Sequence, residues 1–384
     1  MTKNIIKNTF ITISCASLLS ACATSSTADK TQDVQSDETQ EVAQKVSVAP
    51  AVGLNDADNN PDVVALAKTV LEECTWQGGE PQSSCQVYKT YKKSSLIKDA
   101  ESLPTLMNFV EDSDPKVRFL GAKPIVNHTR SFKRDRDVAM RVLGFANEET
   151  DPAVGLALGM ALGKVVTSKT DLSNELVTLF STHELSEVRQ GVLTYFIVMN
   201  PEDEHYAPVI KAAREDANKD VRLTAAMSLS QNQNAAHVPS LCSLWLEKAA
   251  DTNEEQEYQY QAMIMLGAHM TAGGCSEQWP ALVELIEAHA AKGQLDSSLI
   301  TRSMDELNEQ AALSEEMRTR LMTAARSVVT DTSNAGGVRM STLRFIGEQD
   351  QDAVTFAEQF TDDSESAVKR TAQDIVDGKI KPKS

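Results

Sequence analysis

The cysteines are the residues of this sequence whose chemistry depends most on spacing, because a thiol can form a disulfide, carry an acyl group or bind a metal. The six are Cys15, Cys22, Cys74, Cys85, Cys242 and Cys275. Zinc sites usually contain cysteines two to four residues apart or histidines three to five residues apart. Neither spacing occurs here, so the sequence predicts no metal site and no cofactor.

Cys22 follows an N-terminal segment that is typical of an export signal. Lys3 and Lys7 give the segment a positive start, and an apolar run over 10–19 follows. This run is too short to span a bilayer as a permanent helix. We therefore expect residues 1–21 to be a signal peptide that is removed.

The run ends in Leu19-Ser20-Ala21-Cys22, which resembles the lipobox of bacterial lipoproteins. The resemblance implies cleavage before Cys22 and acylation of Cys22, for example with palmitate. Ala23 at the next position, instead of Asp, resembles the sorting signal for the outer membrane of a Gram-negative bacterium, facing the periplasm. The alternative is an ordinary secretory signal whose cysteine is incidental.

Export would place the remaining four cysteines in an oxidising compartment, where disulfides form. Four cysteines allow three pairings. The loop from Cys74 to Cys85 is short and rich in glycine and proline, so locality favours this pair. Cys242 and Cys275 then pair by elimination.

A search for catalytic motifs finds no nucleotide-binding loop, no G-x-S-x-G elbow and no H-E-x-x-H. We therefore expect a protein that is not an enzyme, with an enzyme of unrecognised type as the lesser alternative. His205 and His237 precede predicted helices, where we expect surface histidines rather than metal ligands. Acidic clusters at 148–149 and 202–204 are expected to be solvated turn carboxylates.

The composition favours helices and a negatively charged surface. Aromatic residues make up 5% of the chain, and alanine, leucine, glutamate and glutamine are plentiful, which predicts an all-α fold. The net charge is −18, which disfavours nucleic acid and anionic headgroups as partners. Residues 22–60 contain no aromatic residue and are predicted to be a lipidated, disordered acidic linker.

A repeated pattern begins after the linker. Each copy starts with a valine, continues with a small or short residue three or four positions later, and has a large apolar residue eight positions after the valine. In the last copy this large residue is Val376. These spacings put all three side chains on one helical face. Two weaker copies begin at Tyr258 and Leu299, and successive copies start 30 to 41 residues apart, the scale of a helix-turn-helix repeat. The six clear copies start at Val117, Val154, Val188, Val221, Val338 and Val368.

A second apolar segment lies between successive copies, so each repeat is predicted to be a pair of helices. Prolines 104, 208, 239 and 280 fall near the starts of the first helices, where a missing N–H is harmless. Asp114-Pro115 and Asp151-Pro152 open two second helices as cap and first-turn residue.

The segment Asp114-Pro115-Lys116-Val117-Arg118 resembles the second helix of a HEAT repeat. The resemblance covers about residues 100–380 and implies a right-handed α-solenoid of stacked helical pairs. It also implies that the arginine after each valine bridges to turn carboxylates between repeats, with ligand binding as the alternative. Gly155 occupies this place after Val154. The four arginines are Arg118, Arg189, Arg222 and Arg339.

The sequence therefore predicts four parts: the signal peptide 1–21, the linker 22–60, a disulfide-stapled helical cap 61–100 and the repeat array 101–384. Stacked helical pairs present a long surface suited to extended partners. We expect a lipid-anchored scaffold or adaptor in the cell envelope. It would bind a protein or peptide whose identity the sequence leaves open, and contact the membrane through its lipid only. The alternative is a structural spacer or assembly lipoprotein.

Overall fold

The computed structural model describes residues 53–128, 133–231, 237–271, 278–290 and 314–382, all within the compact unit Pro50–Ser384. The described part of the chain is all-α, which confirms the prediction from composition. The predicted signal peptide, Cys22 and most of the predicted linker lie outside the described residues. No helix within the described ranges is both long and apolar enough to cross a membrane.

The N-terminal region contains α1 (Pro61–Glu73), α2 (Gln86–Lys93), α3 (Ser95–Lys98) and a 3₁₀ turn, Ala100–Ser102. A small hairpin follows α1, in which β1 (Trp76–Gln77) pairs antiparallel with β2 (Glu80–Pro81). Gly78 and Gly79 form its two-residue turn at φ values of 57° and 80°. Both values lie in the left-handed region that glycine adopts without strain, as a tight hairpin turn requires.

The folded region begins earlier than the predicted boundary at residue 60. Asn59 accepts a hydrogen bond from the Asn108 side chain at 3.1 Å, and the Asn60 N–H donates to Thr105 Oγ1 at 2.9 Å. The Leu54 N–H also donates to Asp112 Oδ2 at 3.0 Å. Residues 53–60 are therefore attached to the first repeat, so assigning them to the linker was wrong. Their polar composition hid this, because the attachment uses hydrogen bonds rather than an apolar stripe.

Most helices in the rest of the described chain form pairs, in which a first helix is followed by a second. Residues 291–313, between the helices Trp279–Ala290 and Glu315–Thr330, lie outside the described residues. A short helix, α8 (Thr167–Thr170), interrupts this order after the second pair. The first members are α4 (Leu103–Val110), α6 (Arg136–Glu148), α9 (Ser173–Thr182), α11 (Asp203–Glu215), α13 (Val238–Ala250), α15 (Trp279–Ala290), α16 (Glu315–Thr330) and α18 (Ala353–Ala357). The second members are α5 (Pro115–Ile125), α7 (Pro152–Gly163), α10 (Ser186–Met199), α12 (Lys219–Ser230), α14 (Gln256–Thr271), α17 (Gly336–Gln349) and α19 (Ser366–Val376).

Side-chain caps set where several second helices begin. Asp114 Oδ1 accepts from the Lys116 N–H at 2.9 Å, and Asp151 Oδ1 accepts from the Ala153 N–H at 3.0 Å. Asn218 does the same for α12. Each cap satisfies an N–H that has no partner within the helix. Pro208 differs from the prediction, because α11 begins at Asp203 and places this proline inside the helix.

The repeated apolar positions form the core. All six valines that start the clear copies are buried, as are Tyr258, Ala262 and Leu266 of the first weak copy. The second weak copy, from Leu299 to Leu307, lies outside the described residues. In the last repeat, Val376 is only partly buried and Ile375 occupies the core instead. Assigning Val376 to the core was therefore wrong by one residue. The last helix, α19, ends at Val376 and buries Ile375 instead.

Equivalent helices of neighbouring pairs contact one another. The second helices α5, α7, α10, α12 and α14 pack each against the next, and α17 packs against α19. Among the first helices, α9, α11, α13, α15 and α16 also contact in order. The contact between α7 and α10 is the most extensive of these. This order of contacts places the turns between the two helices of each pair next to one another.

Candidate functional site

The four arginines that follow the valines lie near the starts of the second helices, next to these turns. Arg118 donates from Nε and Nη2 to the two carboxylate oxygens of Glu149, both at 2.9 Å. Arg189 does the same to Asp216, at 2.9 and 2.8 Å. In both cases the carboxylate belongs to a later turn between the helices of a pair. A bidentate arginine–carboxylate contact is among the stronger polar interactions in proteins.

The third nitrogen of each guanidinium binds a backbone carbonyl of its own repeat. Arg118 Nη1 donates to Asp112 O at 3.1 Å, and Arg189 Nη1 donates to His183 O at 2.6 Å. Arg222 Nη1 donates in the same way to Asp216 O at 2.8 Å. Each arginine therefore joins its own turn to a carboxylate in the turn of another repeat. This places the four arginines in a structural role, with their donors used within the chain.

The contacts of the two remaining arginines, Arg222 and Arg339, are partly or wholly buried. Arg222 donates to Glu254 at 3.1 and 2.5 Å, and Lys248 Nζ donates to the same carboxylate at 3.2 Å. Burial by itself raises the pKa of Glu254, but the hydrogen bonds from Arg222 and Lys248 outweigh burial, so the pKa is lowered overall. Arg339, 2% exposed, binds Asp363 at 3.1 and 2.5 Å and lowers the pKa of that carboxyl.

Glu149 corrects one expectation, since it was predicted to be a solvated turn carboxylate. Its side chain is 4% exposed and accepts from Arg118, from the Thr150 N–H and from the Asp151 N–H. The cationic and backbone donors compensate the loss of water. The acidic residue in the turn is therefore the second half of the arginine contact.

Gly155 stands where the other clear copies have an arginine or a lysine, so α7 lacks the arginine–carboxylate contact. Close packing of backbones replaces this contact. A Cβ built on Gly191 of α10 would lie 2.5 Å from Leu156 O, and one on Gly159 of α7 would lie 2.5 Å from Val188 O. Real Cβ atoms essentially never come within 3.0 Å of another heavy atom. Glycines therefore let α7 and α10 approach closely where the arginine is missing.

His205 and His237 were both expected on the surface. For His205 this was wrong, because its side chain is 2% exposed. Its Nδ1 lies 3.0 Å from Asn200 O, and its Nε2 lies 2.5 Å from Ser173 Oγ. His237 stacks on Tyr206 with ring centroids 3.8 Å apart, and its Nε2 lies 3.0 Å from Asp203 Oδ1. Within the described ranges, no three or more His, Cys, Asp or Glu side chains form a group that could hold a metal.

The structure joins Cys74 to Cys85 in a disulfide with an S–S distance of 2.02 Å and a Cα–Cα distance of 5.7 Å. This bond closes the loop that contains the hairpin. Cys242 is buried and disulfide-bonded. Cys275 lies outside the described residues, so the pairing of Cys242 with Cys275 stays a prediction.

A cleft lined by lysines and tyrosines lies between the N-terminal region and the second helices α5, α7 and α10. Its volume is about 220 Å³. Lys123 comes from the last turn of α5, and Lys164 directly follows α7. Lys92 comes from the end of α2, and Lys98 from the end of α3. Tyr88, Tyr195 and Met160 contribute to the walls.

Two of the lysine head groups lie over tyrosine rings. Lys92 Nζ is 4.5 Å from the centroid of Tyr88, and Lys164 Nζ is 4.4 Å from that of Tyr195. Lys164 Nζ also donates to Val126 O at 3.2 Å. An ammonium group over an aromatic face is held by electrostatic attraction without being neutralised. The tyrosines therefore position positive charge at the cleft.

The electrostatics of these lysines are unfavourable in the unbound protein. Burial and then the positive charge of Lys123 lower the pKa of Lys92. Burial and then Lys133 lower the pKa of Lys164. The nearest ion-pair partner is Glu80, whose Oε1 lies 3.7 Å from Lys123 Nζ with both side chains partly exposed. Within the described part of the chain, Lys92, Lys98 and Lys164 make no ion pair.

Sequence analysis did not identify this cleft, although a signal was present. Residues 86–98 contain four lysines and no acidic residue, in a chain of net charge −18. Residues 116–134 also contain no acidic residue. Local charge against the trend of the whole chain could have marked both segments. Their proximity depends on the packing of α2 and α3 against the first repeats.

Comparison with known proteins adds no family. No protein-family model matches this chain, and no curated protein matches it.

Proposed function

We propose that the protein is a lipid-anchored, non-enzymatic adaptor, a HEAT-like α-solenoid that presents a row of second helices to a protein or peptide in the periplasm. The observation that carries the proposal is the continuous packing of α5, α7, α10, α12 and α14. The arginine contacts between turns support it, because they fix the relative position of successive pairs. A surface of this kind suits an extended partner.

The adaptor is tested by crosslinking in intact cells followed by mass spectrometry. We expect one or two partner proteins in stoichiometric amounts. Recovery of many unrelated envelope proteins at low occupancy would favour a structural spacer and contradict the adaptor. The mature full-length protein at its natural level is the sample, so that an excess of protein does not create contacts.

The anchor is tested separately with Cys22→Ser and a fatty-acid analogue that can be detected by labelling. We expect the variant to lose the label and to leave the membrane fraction, because Cys22 carries the proposed acyl chain. The matched control is Cys15→Ser, which removes a thiol from the predicted signal peptide and should leave labelling unchanged. Labelled, membrane-bound Cys22→Ser protein would refute the anchor.

A further inference from the structure

The lysine cleft, defined by Lys92, Lys98, Lys123 and Lys164, concentrates positive charge on a protein whose net charge is −18. Like charges at one cleft repel one another, and burial adds a cost to the charged head groups of Lys92 and Lys164. A structural role as helix caps explains one contact, that of Lys164 with Val126 O. It leaves two further protons of Lys164 available for a ligand.

The size of the cleft restricts what it can hold. Pockets that enclose whole small-molecule ligands usually measure about 300 Å³ or more. At about 220 Å³, this cleft fits one or two side chains of a larger partner better than a complete small ligand. Its walls combine ammonium groups with the rings of Tyr88 and Tyr195. That combination suits a short aliphatic chain that ends in an anion.

We propose that this cleft binds the carboxylate side chains of an acidic peptide segment of the partner protein. The inference rests on the proposed adaptor function and names the chemistry of the partner. The carboxylates would accept hydrogen bonds from Lys92, Lys123 and Lys164. The rings of Tyr88 and Tyr195 would hold the head groups of Lys92 and Lys164 in place. The negative charge elsewhere on the chain would discourage the same peptide from binding at other sites.

The proposal is tested with hexaglutamate as probe and the full chain in neutral detergent, by isothermal titration calorimetry. We expect saturable one-site binding that weakens with added salt, and no binding of hexaglutamine. The double variant Lys92→Gln/Lys164→Gln should bind at least about tenfold more weakly, because two charge-assisted contacts are lost. The matched control Lys169→Gln/Lys211→Gln removes the same charge from exposed lysines outside the cleft and should bind as the parent does.

Three results would overturn the proposal. The first is equal hexaglutamate affinity for the two double variants while their melting temperatures match the parent. The second is inorganic phosphate binding at the cleft as tightly as hexaglutamate, which would assign a small anion. The third is tighter hexaglutamate binding after the carboxylates of residues 29–41 are changed to amides, which would show that this chain's own acidic segment occupies the cleft.

A failure of the cleft proposal can be distinguished from a failure of the adaptor function. If crosslinking recovers a partner and the cleft variant retains it, only the cleft assignment is wrong. If hexaglutamate binds at the cleft and crosslinking finds no partner, the adaptor function is wrong and the carboxylate site remains. If the cleft variant alone loses the partner, both proposals are supported.

Discussion

At the scale of single residues, the structure depends on charges that are buried but paired. Arg339 and Asp363 are 2% and 8% exposed and bind each other through two hydrogen bonds. Arg339 also donates to Val329 O at 2.8 Å. A buried charge is tolerated only when its partners replace the lost water. Removing one partner therefore costs more than the contact itself contributes.

Asp363→Asn should lower the stability of the protein at neutral pH by about 2 kcal/mol, because Arg339 would face a neutral partner. The lowered pKa of Asp363 means that this contribution is complete above the ordinary value of 3.8. It is lost as the pH falls through the lower pKa of the folded state. Thermal unfolding should therefore show a difference between parent and variant at pH 7 that shrinks below pH 4.

The matched control is Asp362→Asn, one residue earlier, whose side chain is 98% exposed and pairs with the exposed Lys369. Its melting temperature should match that of the parent at pH 7. A loss of stability that is equal in the two variants, or a difference for Asp363→Asn that persists unchanged at pH 3, would contradict the prediction.

At the scale of elements, neighbouring repeats are joined either by an arginine–carboxylate contact or by close packing of helices at glycines. Four pairs of turns are joined by bidentate contacts, from Arg118, Arg189, Arg222 and Arg339. Where Gly155 stands instead, α7 and α10 approach through glycines. Close packing gains many small dispersion contacts, which depend steeply on distance. This helix pair is therefore sensitive to a single added methyl group.

Gly191→Ala should destabilise the protein by about 2 kcal/mol, because the new Cβ would lie 2.5 Å from Leu156 O and must push α7 and α10 apart. The control is Gly144→Ala in α6, where the new Cβ would meet nothing within 4 Å beyond its chain neighbours and the backbone of its own helix. Alanine favours a helix over glycine, so this control should gain up to about 1 kcal/mol. Urea unfolding of both variants compares them, and a stabilising Gly191→Ala would rule out the close-packing argument.

At the scale of the whole molecule, the repeats share one apolar core. The buried valines and their large partners, with Ile375 in place of Val376 in the last repeat, belong to a single contiguous cluster that runs from Val63 to Ile375. In such an array, each repeat depends on its neighbours for part of its stability. Damage to one repeat should therefore spread to the repeats that contact it.

Val221→Asp should destabilise the protein by about 4 kcal/mol or more, because it buries an unpaired charge at a fully buried position. Hydrogen exchange should accelerate in α10 and α14, which contact α12. The same change at Val354, an apolar side chain that is 45% exposed, should leave both quantities nearly unchanged. Equal melting temperatures for the two variants would mean that the valine periodicity does not define the core.

The sequence by itself determined the features that depend on neighbours along the chain. Periodicity of 3.6 residues identified the buried face of the second helices, and caps such as Asp114 and Asp151 marked where two of them begin. The all-α class followed from composition, and locality favoured the Cys74–Cys85 pair. These properties are local, because a helix forms its hydrogen bonds within four residues and a cap acts within three.

Only the tertiary structure decided which distant groups meet. It paired Arg118 with Glu149, buried His205, attached residues 53–60 to the first repeat and placed Ile375 rather than Val376 in the core. It also brought Lys92 and Lys164 to one cleft. The physical reason is that charge and hydrogen-bonding capacity are carried by single residues without a period. Where they act depends on how the helices pack, which local sequence does not encode.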